Sequence, residues 1–192
     1  LMIGYSKYNT NSNDPKYAGY TYDNGTDSLI KKEVDEWYKN AFSTSSYDKY
    51  IAEGRFCSDS SGFDGTHFAS YDRLEAGNPT LICPDTTETF GGSYNLKAGL
   101  MTADEMVLGG DKRVVTSNNY LSSGSTYYWT MSPAGFDGGN ASVIPRSRSG
   151  YLISNGSVNA IYVRARPVIN LLTDNGLTLT GSGSSIDPYV IK

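Results

Sequence analysis

The sequence predicts an α+β domain: helices packed on a small, twisted, mostly antiparallel sheet, with long loops between them. Three observations carry this expectation. Helical periodicity is confined to the part of the chain before about residue 110, and short strand patterns divided by turn residues fill the part after it, an order that places helices on one side of an antiparallel sheet. Aromatic residues make up 12% of a chain whose hydrophobic share is only 38%, so rings must supply much of the core volume. The 21 glycines require many turns. At 192 residues the chain fits one domain, 1–192, with a helical and loop-rich half over about 1–110 and a strand-rich half over about 111–192.

Each element has its own signal. Met2, Ile3, Tyr5 and Tyr8 alternate with polar residues and predict a strand, closed by the turn-rich NTNSNDPK. In TYDNGTDS the Asp-Asn-Gly step is a turn, and Asp27 or Ser28 is placed to cap a helix. In SLIKKEVDEWYKNAF, Ile30, Val34, Trp37, Tyr38 and Phe42 recur at helical spacing on one face, with Lys31, Lys32, Glu33, Asp35 and Glu36 opposite. Trp37 is accordingly read as core rather than as a ligand platform. A shorter helix from Tyr47 to Glu53 turns Tyr50 and Ile51 inward and stops at Gly54. From Arg55 to Lys97 no period is sustained, and a segment of that length without structure is functional or tied down.

A capping box of Thr102 and Glu105 opens a helix in GLMTADEMVLGG, and Gly109 with Gly110 ends it. Five strand-like stretches follow: YYWTMSP, ASVIPRS, YLISNGSV, IYVRARPVINLL and LTLTGSGSSIDPYVIK. In the first, Trp129 and one flanking tyrosine fill the core while the other tyrosine faces outward, as strand alternation demands. In the fourth, Arg164 and Arg166 lie two apart and share a face, and Pro167 confines the strand to an edge or a bulge. Such arginines pair a buried carboxylate, stack on rings, or present donors to an anion; the structural roles are preferred here.

Composition excludes several classes of function. With 16 basic and 20 acidic residues, a net charge of -4 and no basic stripe, the chain lacks the electrostatic footprint of a nucleic-acid binder. No run approaches the roughly 18 apolar residues of a membrane span, so no membrane insertion by this segment is expected. The first residues, LMIGYSKY, begin in mid-strand, so a signal or anchor is expected upstream of them. Cys57 and Cys83 leave three states open: a disulfide, two free buried thiols, or metal ligation together with His67 and a carboxylate. The abundance of Tyr, Asn, Ser, Thr and Gly is that of exported bacterial proteins, where oxidation is allowed. A Cys57–Cys83 bridge would close the patternless segment, with a stabilisation of roughly 3 kcal/mol.

Chemistry-bearing constellations are few. His67 is the only histidine and stands in GFDGTHFAS, with no neighbouring nucleophile motif. The acid pairs Asp59 with Asp64 and Asp104 with Glu105 have the spacing of loop acids and a helix cap. CSDSSGFDG is rich in oxygens but lacks the spaced aspartates and terminal glutamate of a calcium loop. TGSGSS is a turn between strands, since no helix opening with a lysine follows it. No enzyme and no cofactor is expected; calcium is the one cation for which the chain has material.

LMTADEM, YWTMSP and RPVINL, in that order, resemble the capped Leu/Met-x-Ser/Thr-x-Asp-Glu helix, Trp-x-x-Ser-Pro strand and Val-Arg-Pro-(Val/Ala)-Ile-Asn-Leu strand of a large uncharacterised domain family of Gram-positive bacterial surface and pilin-like proteins. SLIKKEVDEWYKNAF is similar to that family's earlier helix, and FCSDSS with LICP to its recurrent cysteine pair. The resemblance runs from about Asp27 to the end. Its departure is the ARA of VRARPVINL, which leaves two arginines as counterparts of one. The resemblance implies a C-type-lectin-like scaffold, related in shape to formylglycine-generating enzymes and to the variable proteins of diversity-generating retroelements. The calcium motifs of sugar-binding C-type lectins are absent, and Cys57 and Cys83 are not placed as in a formylglycine-generating enzyme.

The expected function is therefore an extracellular, cell-surface binding or adhesion module, the globular part of a pilin-like or anchored protein, taking a protein or glycan ligand. Alternatives are a structural pilus subunit packing against copies of itself, and a variable ligand-binding protein of a retroelement. Loops mixing polar-tipped rings with small residues and asparagines suit adaptable contact. They nominate Asn119, Tyr120, Tyr127, Phe136, Asp137, Asn140, Arg146, Arg148 and Tyr151 as the exposed ligand-binding set.

Overall fold

A computed structural model describes residues 2–85, 88–113, 126–172, 179–182, 187 and 190–191. Its N-terminal run forms no strand of its own. Tyr5 makes a single antiparallel bridge to Arg164, and the Ile3 and Ser6 amides donate to the carbonyls of Ala165 and Val163. A 3-10 turn at Pro15–Ala18 follows, capped by Asp14, whose carboxylate accepts from the Lys16 amide at 3.0 Å. Next, β1 (Thr21–Tyr22) and β2 (Thr26–Asp27) form a hairpin whose tip, Asp23 and Asn24, sits at φ of 46° and 58°, the left-handed region these two residue types tolerate best after glycine. Ser28 then caps α1 (Leu29–Ala41), its hydroxyl accepting from the Lys31 amide at 3.2 Å. Ile30 and Val34 of α1 are buried, while Trp37 is half-buried and packs edge-on to Phe42.

The expected helix from Tyr47 to Glu53 is instead a 3-10 turn, Asp48–Tyr50, that runs into β3 (Ile51–Ala52). Ile51 is β-branched and pairs with Leu171, so a tertiary partner overrides weak local periodicity. The segment from Arg55 is structured as well. It contains most of β4 (Gly54–Ser58), then α2 (Ala69–Ala76), which stops on the left-handed Gly77, and β5 (Gly92–Leu96), which pairs along the whole of β4. These strands are half-exposed ribbons with polar residues on both faces, which is why no period marks them. The short β6 (Ala98–Gly99) leads to α3 (Ala103–Leu108), whose capping box is closed in both directions between Thr102 and Glu105.

Among the described residues seven further strands follow: β7 (Tyr127–Asp137), β8 (Asn140–Arg146), β9 (Gly156–Ser157), β10 (Val163–Arg164), β11 (Val168–Leu171), β12 (Leu179–Thr180) and β13 (Val190–Ile191). The architecture is α+β, built from several small and mainly antiparallel sheets rather than one. The largest runs β10-β7-β8-β9, with β10 parallel to β7 and the other pairs antiparallel. A second runs β3-β11-β6, so a late strand is inserted between two early ones. Among the described residues all three α-helices precede residue 110 and the two longest strands follow it, and six short strands also precede residue 100. The predicted strand IYVRARPVINLL is also two strands, since Pro167 interrupts it and the chain changes sheets there.

Alternation along β7 distributes its side chains between two apolar clusters. Trp129 and Met131, with Val143 of β8, enter the larger one beside Tyr8, Tyr20, Ile30, Val34, Phe56 and Phe68. Tyr128 and Ala134, with Ile144, enter the smaller one beneath Leu74 of α2 and Ala103 and Met106 of α3. Trp129 is 0% exposed and its indole N–H donates to the Ser6 carbonyl at 2.8 Å. Of the two flanking tyrosines, Tyr128 is the core one, 1% exposed because α2 and α3 cover the face it occupies, and Tyr127 is half-buried.

Cys57 of β4 and Cys83 are joined by a disulfide, with S–S 2.01 Å and Cα–Cα 5.7 Å. The bridge ties the stretch before β5 to the sheet edge.

Candidate functional site

Parallel pairing of β10 with β7 sets Val163 opposite Tyr127 and Arg164 opposite Tyr128. This register brings Tyr162 alongside Tyr127, ring centroids 5.4 Å apart and edge to face. Tyr5 is held at the same edge by its backbone bridge to Arg164, whose guanidinium lies 4.3 Å from the Tyr5 ring centre. With Thr126, Ile161 and Arg148 these residues line an open hollow of about 280 Å³. Ile161 is 70% exposed and Tyr5 and Tyr162 are each 57% exposed, so three large apolar side chains face solvent together.

Arg148 reaches the hollow from a tight turn. The Ser147 amide donates to the Tyr151 carbonyl (2.7 Å), the Gly150 amide donates to the Ser147 carbonyl (3.2 Å), and Gly150 takes φ of 82°. Buried Ser147 also accepts from the Tyr151 amide through its hydroxyl (3.2 Å). The exposed Arg148 guanidinium then stands 5.2 Å from the centre of the Tyr127 ring. Such stacking holds a planar cation in place while leaving its edge donors pointing away from the ring.

The nine nominated residues do not form one site. Tyr127 and Arg148 belong to the hollow, and Tyr151 closes the turn behind it. Phe136, Asp137 and Asn140 lie at the far end of β7, roughly 30 Å away for ten residues of extended chain. There Gly138 and Gly139, at φ of 55° and 79°, make the hairpin tip, and Asn140 accepts a hydrogen bond from the Ser12 hydroxyl at 3.0 Å. Phe136 packs half-buried against the larger cluster. Asn119 and Tyr120 lie outside the described residues.

Arg146 corrects the expectation of exposure. It is 0% exposed and pairs with Asp111, also buried, through Nε at 2.5 Å and Nη2 at 3.3 Å. It is the last residue of β8 and its side chain turns into the smaller cluster, where its guanidinium lies 5.6 Å from the centre of the Tyr128 ring. Arg166 approaches the same ring, with 3.4 Å from its Nη1 to the Tyr128 hydroxyl. The two arginines expected to share one face, Arg164 and Arg166, therefore stack on different tyrosines. Burial raises the Tyr128 pKa, against the lowering pull of Arg146 and Arg166, so the ring stays neutral beside both cations.

A second cavity, about 340 Å³, lies beside the disulfide and includes Arg55, Asp59, Arg73, Asp104 and Glu105 in its walls. Its charges are largely spent on one another. Arg73 forks onto Asp104 (2.9 Å twice) and pairs with Asp59 (2.8 Å), while the Thr80 amide donates to Asp104 at 3.0 Å. Burial works against the Arg73 charge, but Asp104 and then Asp59 outweigh it and raise the pKa. The Asp59 of CSDSSGFDG is thus an ion-pair partner, and Asp64 accepts from the Thr66 and His67 amides (2.7 Å each). Among the described residues no cluster of three or more His, Cys, Asp or Glu is placed to hold a metal ion. His67 stacks on Tyr71 at 3.8 Å and lines neither of these cavities. No helix among the described residues is long and apolar enough to cross a membrane.

Set against family models, curated proteins and solved structures, the chain matches none of them.

Sequence reasoning missed Tyr5, Ile161 and Tyr162. Tyr5 is one member of an alternating run, and Ile161 and Tyr162 sit in a stretch whose alternation suits an inner strand. The parallel pairing of two segments 36 residues apart (Tyr127 to Val163) and the bridge from Tyr5 to Arg164 bring these side chains together.

Proposed function

We propose that this chain is an extracellular binding module on a C-type-lectin-like scaffold, the globular part of a cell-surface protein, and that the Tyr5–Tyr127–Tyr162 platform is its contact surface for a protein or glycan ligand. The observation that carries the reading is the co-location of exposed rings with an arginine that, among the described residues, is stacked rather than ion-paired. Rings with polar tips and arginine are the side chains enriched in binding hot spots, because they supply large contact area with few rotamers to freeze. The disulfide supports an oxidising, exported setting.

The test is binding of the whole chain to glycan and host-protein arrays, repeated with a Tyr127→Ala, Tyr162→Ala double variant. Every ligand captured by the unmodified chain is expected to be lost or strongly weakened. Ligands that bind the double variant equally well remove the platform from the reading.

A structural pilus subunit is the second reading, favoured by Leu81 and Ile82, which are 74% and 77% exposed beside Cys83 and away from the platform. It predicts concentration-dependent self-association in sedimentation runs that Leu81→Asp with Ile82→Asp abolishes; a strictly monomeric chain at high concentration rejects it.

A further inference from the structure

We propose, on the basis of the platform reading, that the ligand class is an acidic saccharide: a pyranose ring lies on the tyrosines and its carboxylate is taken by Arg148. The charge argument comes first. Among the described residues no carboxylate lines the hollow, whose walls are Tyr5, Thr126, Tyr127, Arg148, Ile161 and Tyr162. Arg73, Arg113 and Arg146 are each paired with a carboxylate, on Asp59 and Asp104, Glu75 and Asp111 respectively. Among the described residues Arg148 is paired with no carboxylate and stands over the Tyr127 ring, and the neighbouring Arg164 stands over the Tyr5 ring. On a chain of net charge -4, the Arg148 guanidinium makes the hollow a local cationic spot among the described residues.

The shape argument separates a saccharide from the other anions that such a fork attracts. A free inorganic anion has no use for three rings. An acidic peptide gains most of its affinity by sinking an anchor side chain into an enclosed, desolvated pocket, and this hollow is open. A pyranose presents a flat apolar C–H face that rests on an exposed ring without needing enclosure. Its hydroxyls exchange hydrogen bonds with tyrosine tips and with Thr126. A carboxylate on such a ring accepts two parallel N–H bonds from a guanidinium, the geometry in which arginine outperforms lysine.

The experiment is calorimetry on the whole chain with two acidic oligosaccharides, an oligogalacturonate and a sialyllactose, each against its neutral methyl ester, and with polyglutamate as a charged non-sugar. At least one acid is expected to bind, with its ester weaker by tenfold or more and its affinity falling as salt rises. Arg148→Ala should weaken that acid by about tenfold to a hundredfold, with Arg148→Lys recovering only part, while the melting temperature of these exposed variants stays unchanged. Failure of both acids to bind, equal binding of acid and ester, indifference to Arg148→Ala, or polyglutamate binding as tightly as the sugar would each overturn the inference. The platform reading fails separately: neutral sugars or proteins that bind through Tyr127 and Tyr162 refute the acidic-saccharide inference alone, whereas ligands indifferent to both tyrosines refute the two together.

Discussion

Asp111→Ala is expected to be among the costliest single substitutions in the chain. Asp111 and Arg146 are both 0% exposed at their side chains, and the carboxylate takes two donors from the guanidinium, at 2.5 and 3.3 Å. Removing one partner of a buried ion pair costs about 3–5 kcal/mol, because the remaining charge keeps its desolvation penalty and loses its counter-charge. For a domain of this size each kcal/mol moves the melting temperature by about 2–4 °C, so a fall of about 6–20 °C is expected. Urea denaturation followed by tryptophan fluorescence measures it, since Trp129 sits on the same strand as Tyr128. The control is Asp111→Leu combined with Arg146→Met, which removes both charges and should lose far less than either single change. A loss under about 1 kcal/mol for Asp111→Ala, or a double variant worse than the single one, would refute the assignment of this pair as a desolvated clamp.

Three further outcomes are expected. Replacing Cys57 and Cys83 together by serine should lower stability by about 3.5 kcal/mol in the chain-entropy picture for a 26-residue separation, seen as a matching drop when the unmodified protein is melted in reductant; no drop would mean the loop is held without the bridge. Gly135→Ala should destabilise by about 1–3 kcal/mol in the same denaturation assay, because a Cβ there would stand 2.3 Å from the Thr66 carbonyl oxygen, a backbone atom that cannot swing aside. Tyr8 and Tyr20 are raised well above the ordinary phenol value of 10.0, chiefly by burial, so their protonated forms favour the native state. That stability is intact below pH 10 and is lost as pH rises beyond it, because the unfolded chain releases those protons first; phenolate absorbance should therefore include a cooperative step coincident with unfolding, and smooth titration of every tyrosine in the native state would contradict it.

How far the sequence revealed the fold follows from where its signals are local. The capping box at Thr102, the Ser28 cap and the amphipathic α1 are written within a few residues of one another, and each is found where its spacing puts it. The disulfide was one of three open states, since spacing alone cannot tell a bridge from two thiols. Pairings between distant segments were hidden. Nothing near Ile51 announces Leu171, nothing near Gly54–Ser58 announces Gly92–Leu96, and nothing near Tyr127 announces Val163. The same limit explains the misread arginine. Arg146 and Arg148 lie in one glycine-marked loop sequence, and the first of them turns inward to a partner at Asp111, 35 residues earlier.

Arg146 and Arg148 also illustrate how the fold separates stability from recognition. Both faces of β7 and β8 are covered, so neither strand offers a broad open surface in mid-sheet, and what remains free is at the ends. At one end the buried turn residue Ser147 divides the two arginines: the inner one fixes the strand to the core through Asp111, and the outer one is displayed over Tyr127. The turn that displays Arg148 is thus anchored by a buried pair rather than by contacts made within the hollow. Substitutions at Tyr5, Ile161, Tyr162 and Arg148 should consequently alter binding with little change in melting temperature, while substitutions at Asp111 or Arg146 should do the reverse until the turn itself gives way. A platform built in this way is free to change its side chains without refolding the domain beneath it.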